Sequence, residues 1–277
     1  MTMNAGTART FLFVPGDRPD RFGKAVDSGA DVVILDLEDA VAPGRKREAR
    51  EHVRAWLGEG NRAAVRINGD GTPWQAEDVA MIASRPGPVV AVVAPKAESG
   101  ERLATLSETL PAGTGIIPLV ETAVGILRAP AVCAAPNVVR PAFGSVDLAA
   151  QLGVDHRSHA AFQHARSSLV LAAAAAGCIA PIDGVTTGIT DQDSLRADLV
   201  HALTLGFTGK LCVHPRQVVP ANECLTPSGA DLEWARQVVA AGQGGSATAH
   251  DGQMIDRPVV LRAEAILARA SRLSRSC

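Results

Sequence analysis

The chain has 277 residues, 47% of them apolar and 3% aromatic with no tyrosine, and sets 27 lysines and arginines against 29 aspartates and glutamates. A formal charge of −2 supplies no basic field for a polyanion, and so few aromatics argue against base-stacking platforms for single-stranded nucleic acid. The apolar content is enough for a large core, which excludes global disorder; the length exceeds the roughly 250 residues of a (β/α)8 barrel yet falls short of two average domains.

Residues 1–10 are small and polar, and the apolar run 11–15 is too short for a signal peptide or a membrane span. The five cysteines, Cys133, Cys178, Cys212, Cys224 and Cys277, are odd in number and contain no C-x-x-C. They read as reduced thiols filling a core, so a cytoplasmic protein without a membrane partner is expected.

Eight short apolar or β-branched segments follow one another: 10–15 (TFLFVP), 32–38 (VVILDLE), 64–68 (AVRIN), 89–95 (VVAVVAP), 115–121 (GIIPLVE), 139–145 (VRPAFGS), 181–186 (PIDGVT) and 210–215 (KLCVHP). Near-continuous runs of this length predict strands buried on both faces, as in a parallel sheet. Helical spacing fills the gaps, as at 19–28, 45–56 and 76–83. Eight β/α units with no G-x-G-x-x-G after the first strand predict an α/β fold closed as a (β/α)8 barrel rather than an open sheet. The sixth interval, 42 residues, carries residues 147–153 and a long helix, 159–176, closed by Gly177. Beyond the eighth segment come a helix at 228–241, a Gly/Ser/Thr-rich joint at 242–248 that reads as a flexible linker, and an amphipathic helix at 258–274. The expected organisation is a catalytic barrel over 1–225 and a C-terminal helical arm over 226–277.

In a β/α barrel the chemistry collects at the C-terminal ends of the strands. The expected strand ends carry Asp36, Glu38 and Asp39, then Arg66 and Asn68, Lys96, Glu121, Asp147 and His214. Acidic residues there also serve as helix caps. Caps do not explain Arg66 inside an apolar segment, where an unpaired guanidinium would be costly. Glu121 and Asp147, on adjacent strand ends, can share a hard divalent cation completed by water and substrate oxygens, or form a carboxylate pair satisfied by arginines. Lys96 reads as a charge partner rather than a Schiff-base lysine. His156, His159 and His164 read as a solvated helix face, since no zinc spacing, G-x-S-x-G or P-loop is present. Arg18, Lys24, Arg45 and Lys46 could receive nucleotide phosphates, or be ordinary solvated helix charges.

Taken together, the blocks RTFLFVPGDRP (9–19), GADVVILDLEDAVAP (29–43), VRIN (65–68), TPW (72–74), PKAES (95–99), PLVETAVG (118–125), FGSVDLAAQLG (143–153), GFTGKLCVHPRQ (206–217) and DGQMIDRP (251–258) resemble the citrate lyase β-subunit-like proteins of the HpcH/HpaI aldolase and citrate lyase superfamily. The resemblance runs the length of the chain and looks closest to the stand-alone members. It implies a Mg²⁺-dependent lyase of an acyl-CoA thioester of a 3-hydroxy acid, with Glu121 and Asp147 as metal ligands. Arg66, with Glu121, would contact substrate. Asp36, Glu38 and Asp39 would order the surroundings. For a coenzyme A thioester, Arg18 and Lys24 are the candidate contacts on their charge alone, not from the resemblance. Asp256 of the M-I-D motif would be the catalytic acid/base, reaching into a neighbouring subunit of a homotrimer or hexamer. Rival readings are a metal-dependent aldolase on free 2-oxo acids, a β subunit acting on an acyl-carrier protein, and a non-catalytic binding subunit.

Overall fold

In the computed structural model, which describes residues 4–84, 87, 89–242, 248–250 and 253–274, apolar residues alternate between two cores. Strands β1 (Thr10–Pro15), β2 (Val32–Asp36), β3 (Ala63–Arg66), β4 (Val89–Ala94), β5 (Gly115–Val120), β6 (Ala142–Phe143), β7 (Ile182–Asp183) and β8 (Gly209–Cys212) pair in parallel and close as β8 returns to β1. Phe11, Ile34, Ala64, Val93, Ile117, Leu119, Ile182 and Leu211 fill the barrel interior. Their neighbours Leu12, Val14, Val33, Leu35, Val65 and Val92 pack outward against the helices. Burial on both faces is why the strands read as unbroken apolar runs.

The helices of this unit are α1 (Phe22–Val26), α2 (Lys46–Gly58), α3 (Gln75–Ala83), α4 (Gly100–Thr109), α5 (Ala123–Leu127), α6 (Ala129–Cys133), α7 (Ser145–Leu152), α8 (His159–Ala175), α9 (Gln192–Leu205) and α10 (Val218–Leu225). Several start on a side-chain cap: Ser99 for α4, Thr122 for α5, Ser158 for α8 and Asp191 for α9 each accept a backbone N–H of the first turn. The long sixth interval holds two helices, α7 and α8. The sixth and seventh strands shrink from the expected six or seven residues to two each. Pro141 and Pro181 lack the N–H a ladder needs, and Gly144 and Gly184 end each run.

Arg140 closes the end of the barrel opposite the expected chemistry. It is 1% exposed, and its guanidinium donates to the carbonyls of Ala180, Ala8 and Pro181 and to Thr208 Oγ1 at 2.8–3.2 Å. These residues immediately precede β7, β1 and β8. No carboxylate is paired with it among the described residues, and burial pulls it down to about 9. Because Arg140→Met strands three buried carbonyls, it should cost about 3–5 kcal/mol of unfolding free energy in a denaturant titration. A loss below about 1 kcal/mol would show that these bonds contribute nothing net.

Residues 226–277 form a second compact unit, separate from residues 3–225. Here α11 (Gly229–Gly242) packs on α12 (Arg257–Ser274) through Ala235, Val238, Val260 and Ala263, joined by Ile255 from the segment before α12. Trp234 lies under the guanidinium of Arg262 at 5.1 Å. Between the helices, β9 (Thr248–His250) and β10 (Gln253–Ile255) pair antiparallel, a hairpin the sequence reading did not anticipate. Of the linker expected over 242–248, Gly242 ends α11 and Thr248 opens β9, and residues 243–247 lie outside the described residues. Among the described residues no helix is long and apolar enough to cross a membrane.

Candidate active site

The strand ends of β2, β3, β4 and β5 bring five of the expected residues into one hydrogen-bonded group. Asp36, fully buried at the end of β2, accepts the backbone N–H groups of Glu38 (2.8 Å) and Ala40 (3.1 Å). It also takes Arg66 Nε at 2.7 Å and Nη2 at 2.6 Å, a two-pronged pair that fixes the guanidinium plane. The answer to the buried arginine is therefore Asp36 across the β2–β3 register, where the two residues are direct partners. Arg66 Nη1 reaches Glu38 Oε2 at 3.0 Å, and its guanidinium carbon stands 4.7 Å above the Phe13 ring. Burial works against its charge, yet Asp36, Glu38 and Glu121 outweigh that and hold its proton more firmly than usual.

Glu38 Oε1 accepts Lys96 Nζ at 2.6 Å, and Asp39 stands 3.9 Å from the same ammonium. Lys96 is thus a charge partner. Burial raises the Glu38 carboxyl above its ordinary range, and Arg66 and Lys96 only partly offset that. Lys96 itself has φ +50°, a left-handed conformation that costs a non-glycine residue about 1 kcal/mol. In that conformation its backbone N–H donates to Glu121 Oε1 at 2.8 Å.

Glu121 is 2% exposed and accepts no other hydrogen bond among the described residues. Its carboxyl is pushed up to about 8, first by burial and next by the negative charge of Asp147. Asp147, on the first turn of α7, is half-buried and accepts no hydrogen bond among the described residues. Gly144, between them in sequence, leaves room for this pair: a Cβ there would collide with Glu121 Cβ and sit 2.8 Å from Oε2. A buried carboxylate whose proton affinity is raised by a second carboxylate, neither of them in an ion pair with an arginine among the described residues, fits a hard divalent cation better than the arginine-satisfied alternative. No larger His, Cys, Asp and Glu group able to hold a metal occurs among the described residues, so water and substrate oxygens would complete the shell.

The remaining candidates lie elsewhere. Arg18 pairs with Asp20, Arg45 with Asp17 and Glu48, and Lys24 is exposed. Lys46 is turned inward, 5% exposed, with Nζ 2.8 Å from the carbonyls of both Leu37 and Glu38. Two of its three donors are thereby committed to the backbone, while the residue lines the cavity described below. His214 accepts the Arg216 N–H and caps a short 3-10 turn. His156 meets Thr187, and His164 meets Ser168. His159 pairs with Asp198 and stacks on His201 at 4.1 Å, so it is more structured than a solvated face. Asp256 lies in the other compact unit, at the start of α12, where Oδ1 accepts the Val259 N–H at 3.3 Å. Burial raises the Cys133 and Cys212 thiols to about 12, as core-filling residues require.

A cavity of about 640 Å³ opens beside Glu38 and Lys96, bounded by Asn68, Trp74, Arg102 and Arg128. Asn68 on its wall is held by the buried Asp78, whose carboxylate takes Arg50 Nε at 2.8 Å and both the backbone and side-chain N–H of Asn68 at 2.9 and 2.6 Å. A second buried ion group escaped the sequence reading: Asp183 on β7 binds Lys210 Nζ at 3.0 Å and Arg166 at 3.1 Å. The rule that exposed Arg66, a charge inside an apolar strand, applies equally to Lys210 and would have found it.

A family model for HpcH/HpaI aldolase/citrate lyase matches residues 9–215. The chain is 40% identical over 267 residues to the citrate lyase subunit beta-like protein of Mycobacterium tuberculosis, covering 94% of each. It is 33% identical over 285 residues to a (3S)-malyl-CoA thioesterase of Cereibacter sphaeroides, covering 99% of this chain and 98% of the relative. The crystal structure of CitE from Mycobacterium tuberculosis in complex with magnesium, acetoacetate and coenzyme A is similar at TM-score 0.82 and 39% identity, covering 96% of this chain and 99% of that one.

Proposed function

The chain belongs to the HpcH/HpaI aldolase/citrate lyase family, and from that premise we propose that it is a Mg²⁺-dependent carbon–carbon lyase. Its substrate is a 3-hydroxyacyl-CoA thioester, and its products are a 2-oxo acid and acetyl-CoA or a related acyl-CoA. The observation that carries this reading is the buried Glu121 carboxylate facing the half-buried Asp147, near a rigidly held arginine. The CoA and magnesium bound to CitE support it.

Mg²⁺ held by Glu121 and Asp147 would supply Lewis acidity toward the substrate's hydroxyl and carboxylate oxygens. Arg66 presents a fixed positive charge to the oxygen that becomes the ketone, and Asp36 keeps it from reorienting as that charge develops. The substrate's hydroxyl gives up its proton to solvent water as the bond between the hydroxyl-bearing carbon and the thioester α-carbon breaks, leaving the carbonyl of the 2-oxo acid and the acyl-CoA enolate. Asp256 delivers a proton to that α-carbon, a role that requires reach. It does so from a neighbouring subunit of a trimer or hexamer.

The test is product analysis by mass spectrometry with malyl-, citramalyl-, methylmalyl- and citryl-CoA beside the corresponding free hydroxy acids. Cleavage confined to the thioesters supports the proposal. Turnover of free hydroxy acids alone would replace it with an aldolase, and release of free CoA without C–C cleavage would replace it with a thioesterase. Asp256→Asn should keep thioester affinity within about twofold while slowing exchange of the acyl α-protons with solvent by about 10²–10⁴. Normal exchange in that variant removes Asp256 from the role.

A further inference from the structure

Lys46 spends its charge on the backbone of the strand-end loop after β2. Its ammonium is compact and carries three donors. Two go to the carbonyls of Leu37 and Glu38, each at 2.8 Å. Over the ammonium, 5.3 Å from its centroid, lies the ring of Trp74, which belongs to the loop after β3. One side chain at the head of α2 thus fastens the β2 loop and meets the β3 loop.

What it fastens is Glu38. The Glu38 carbonyl already accepts the Val41 N–H at 2.9 Å, closing a tight turn. Its backbone N–H is held by Asp36, and its carboxylate stands between Arg66 Nη1 and Lys96 Nζ. Lys96 in turn gives its backbone N–H to Glu121. A continuous line of contacts therefore runs from Lys46 through Glu38 to the substrate-facing arginine and to the candidate metal carboxylate. Glu38 Oε2 accepts no hydrogen bond despite being buried, so only the ion pairs and the backbone turn hold that carboxylate in place.

We propose that Lys46 is a positioning residue of this site, setting the Glu38 carboxylate between Arg66 and Lys96. Only the kinetic arm of its test rests on the lyase reading above. A merely structural lysine would anchor α2 and leave Glu38 indifferent to its loss.

The test uses the full-length Mg²⁺-loaded protein as Lys46→Met and Lys46→Arg, with a crystal structure and steady-state kinetics for each. In Lys46→Met, Glu38 is expected to leave both Arg66 and Lys96, with a 10- to 100-fold drop in kcat and a thioester KM within threefold. Lys46→Arg keeps donors for both carbonyls and should restore Glu38 to its place and most of kcat. Should Lys46→Met not fold, Lys46→Gln is read in the same way. A Glu38 carboxylate unmoved in the uncharged variant overturns the assignment. So does equal loss of kcat in Lys46→Met and Lys46→Arg that tracks equal loss of Tm. If wild-type protein turns over none of the thioesters, the lyase reading fails, and the position of Glu38 still decides the role of Lys46.

Discussion

Glu121→Gln should lower kcat/KM for carbon–carbon cleavage of the acyl-CoA substrate by about 10³-fold, the several kcal/mol that Lewis-acid stabilisation supplies. Glutamine keeps the shape and can still accept the Lys96 N–H, so the fold should survive. Wild-type activity should vanish in EDTA and return with Mg²⁺, whereas the variant should be insensitive to both. Activity unaffected by EDTA would sink the metal assignment.

The same residue predicts a pH signature of the metal-free protein. The Glu121 carboxyl titrates at about 8 when folded, against 4.5 as its ordinary value, because it is buried and faces Asp147. Between those values the folded state binds the extra proton, so apoprotein stability should fall as pH rises through that window. Glu38, also raised by burial, adds to the same trend. Saturating Mg²⁺, bound by the ionised form, should remove most of the decline and release protons on binding near pH 7. Tm against pH, with and without Mg²⁺, measures both. A flat apoprotein profile, or an equal slope in Glu121→Gln, would contradict the proposed origin.

Arg66→Lys is expected to lower kcat by about 10²-fold, in the range found when one aimed donor to a developing oxyanion is lost. Lysine retains the positive charge but not the planar fork that meets both Asp36 oxygens at 2.6 and 2.7 Å. Arg66→Met is the harsher case. It strands Asp36, fully buried, and should cost about 3–5 kcal/mol of stability as well as activity. Comparing the two separates charge from geometry. Wild-type kcat in Arg66→Lys would mean that the fork serves only to hold the barrel together.

The barrel was legible because its strands are buried on both faces and so stand out as apolar runs. What the runs overstate is ladder length: proline and glycine at 141, 144, 181 and 184 cut the sixth and seventh strands to two residues. The carboxylates and Arg66 were legible because charge at the end of an apolar run is costly unless it is used. Backbone contributions were not legible. The Lys96 N–H on Glu121 depends on a positive φ that lysine rarely adopts, and Gly144 matters only because of what a Cβ would strike. Lys46 misled for a related reason: a lysine in a basic stretch looks solvated until its partners prove to be carbonyls. The β9–β10 hairpin escaped because three-residue strands carry too little alternation to register.

Those shortened strands bear on how the barrel breathes. β6 meets β5 through two residue pairs and β7 through one, whereas β1 and β2 share five. The wall is thinnest along β6, and slow amide exchange should be least protected there. Glu121 follows β5, on one side of this seam, and Asp147 follows β6 itself. A cation held by both would act as a clasp across the short β5–β6 join, tying the thin β6 to the longer strand beside it, so that loading the reaction centre and bracing the barrel wall become one event.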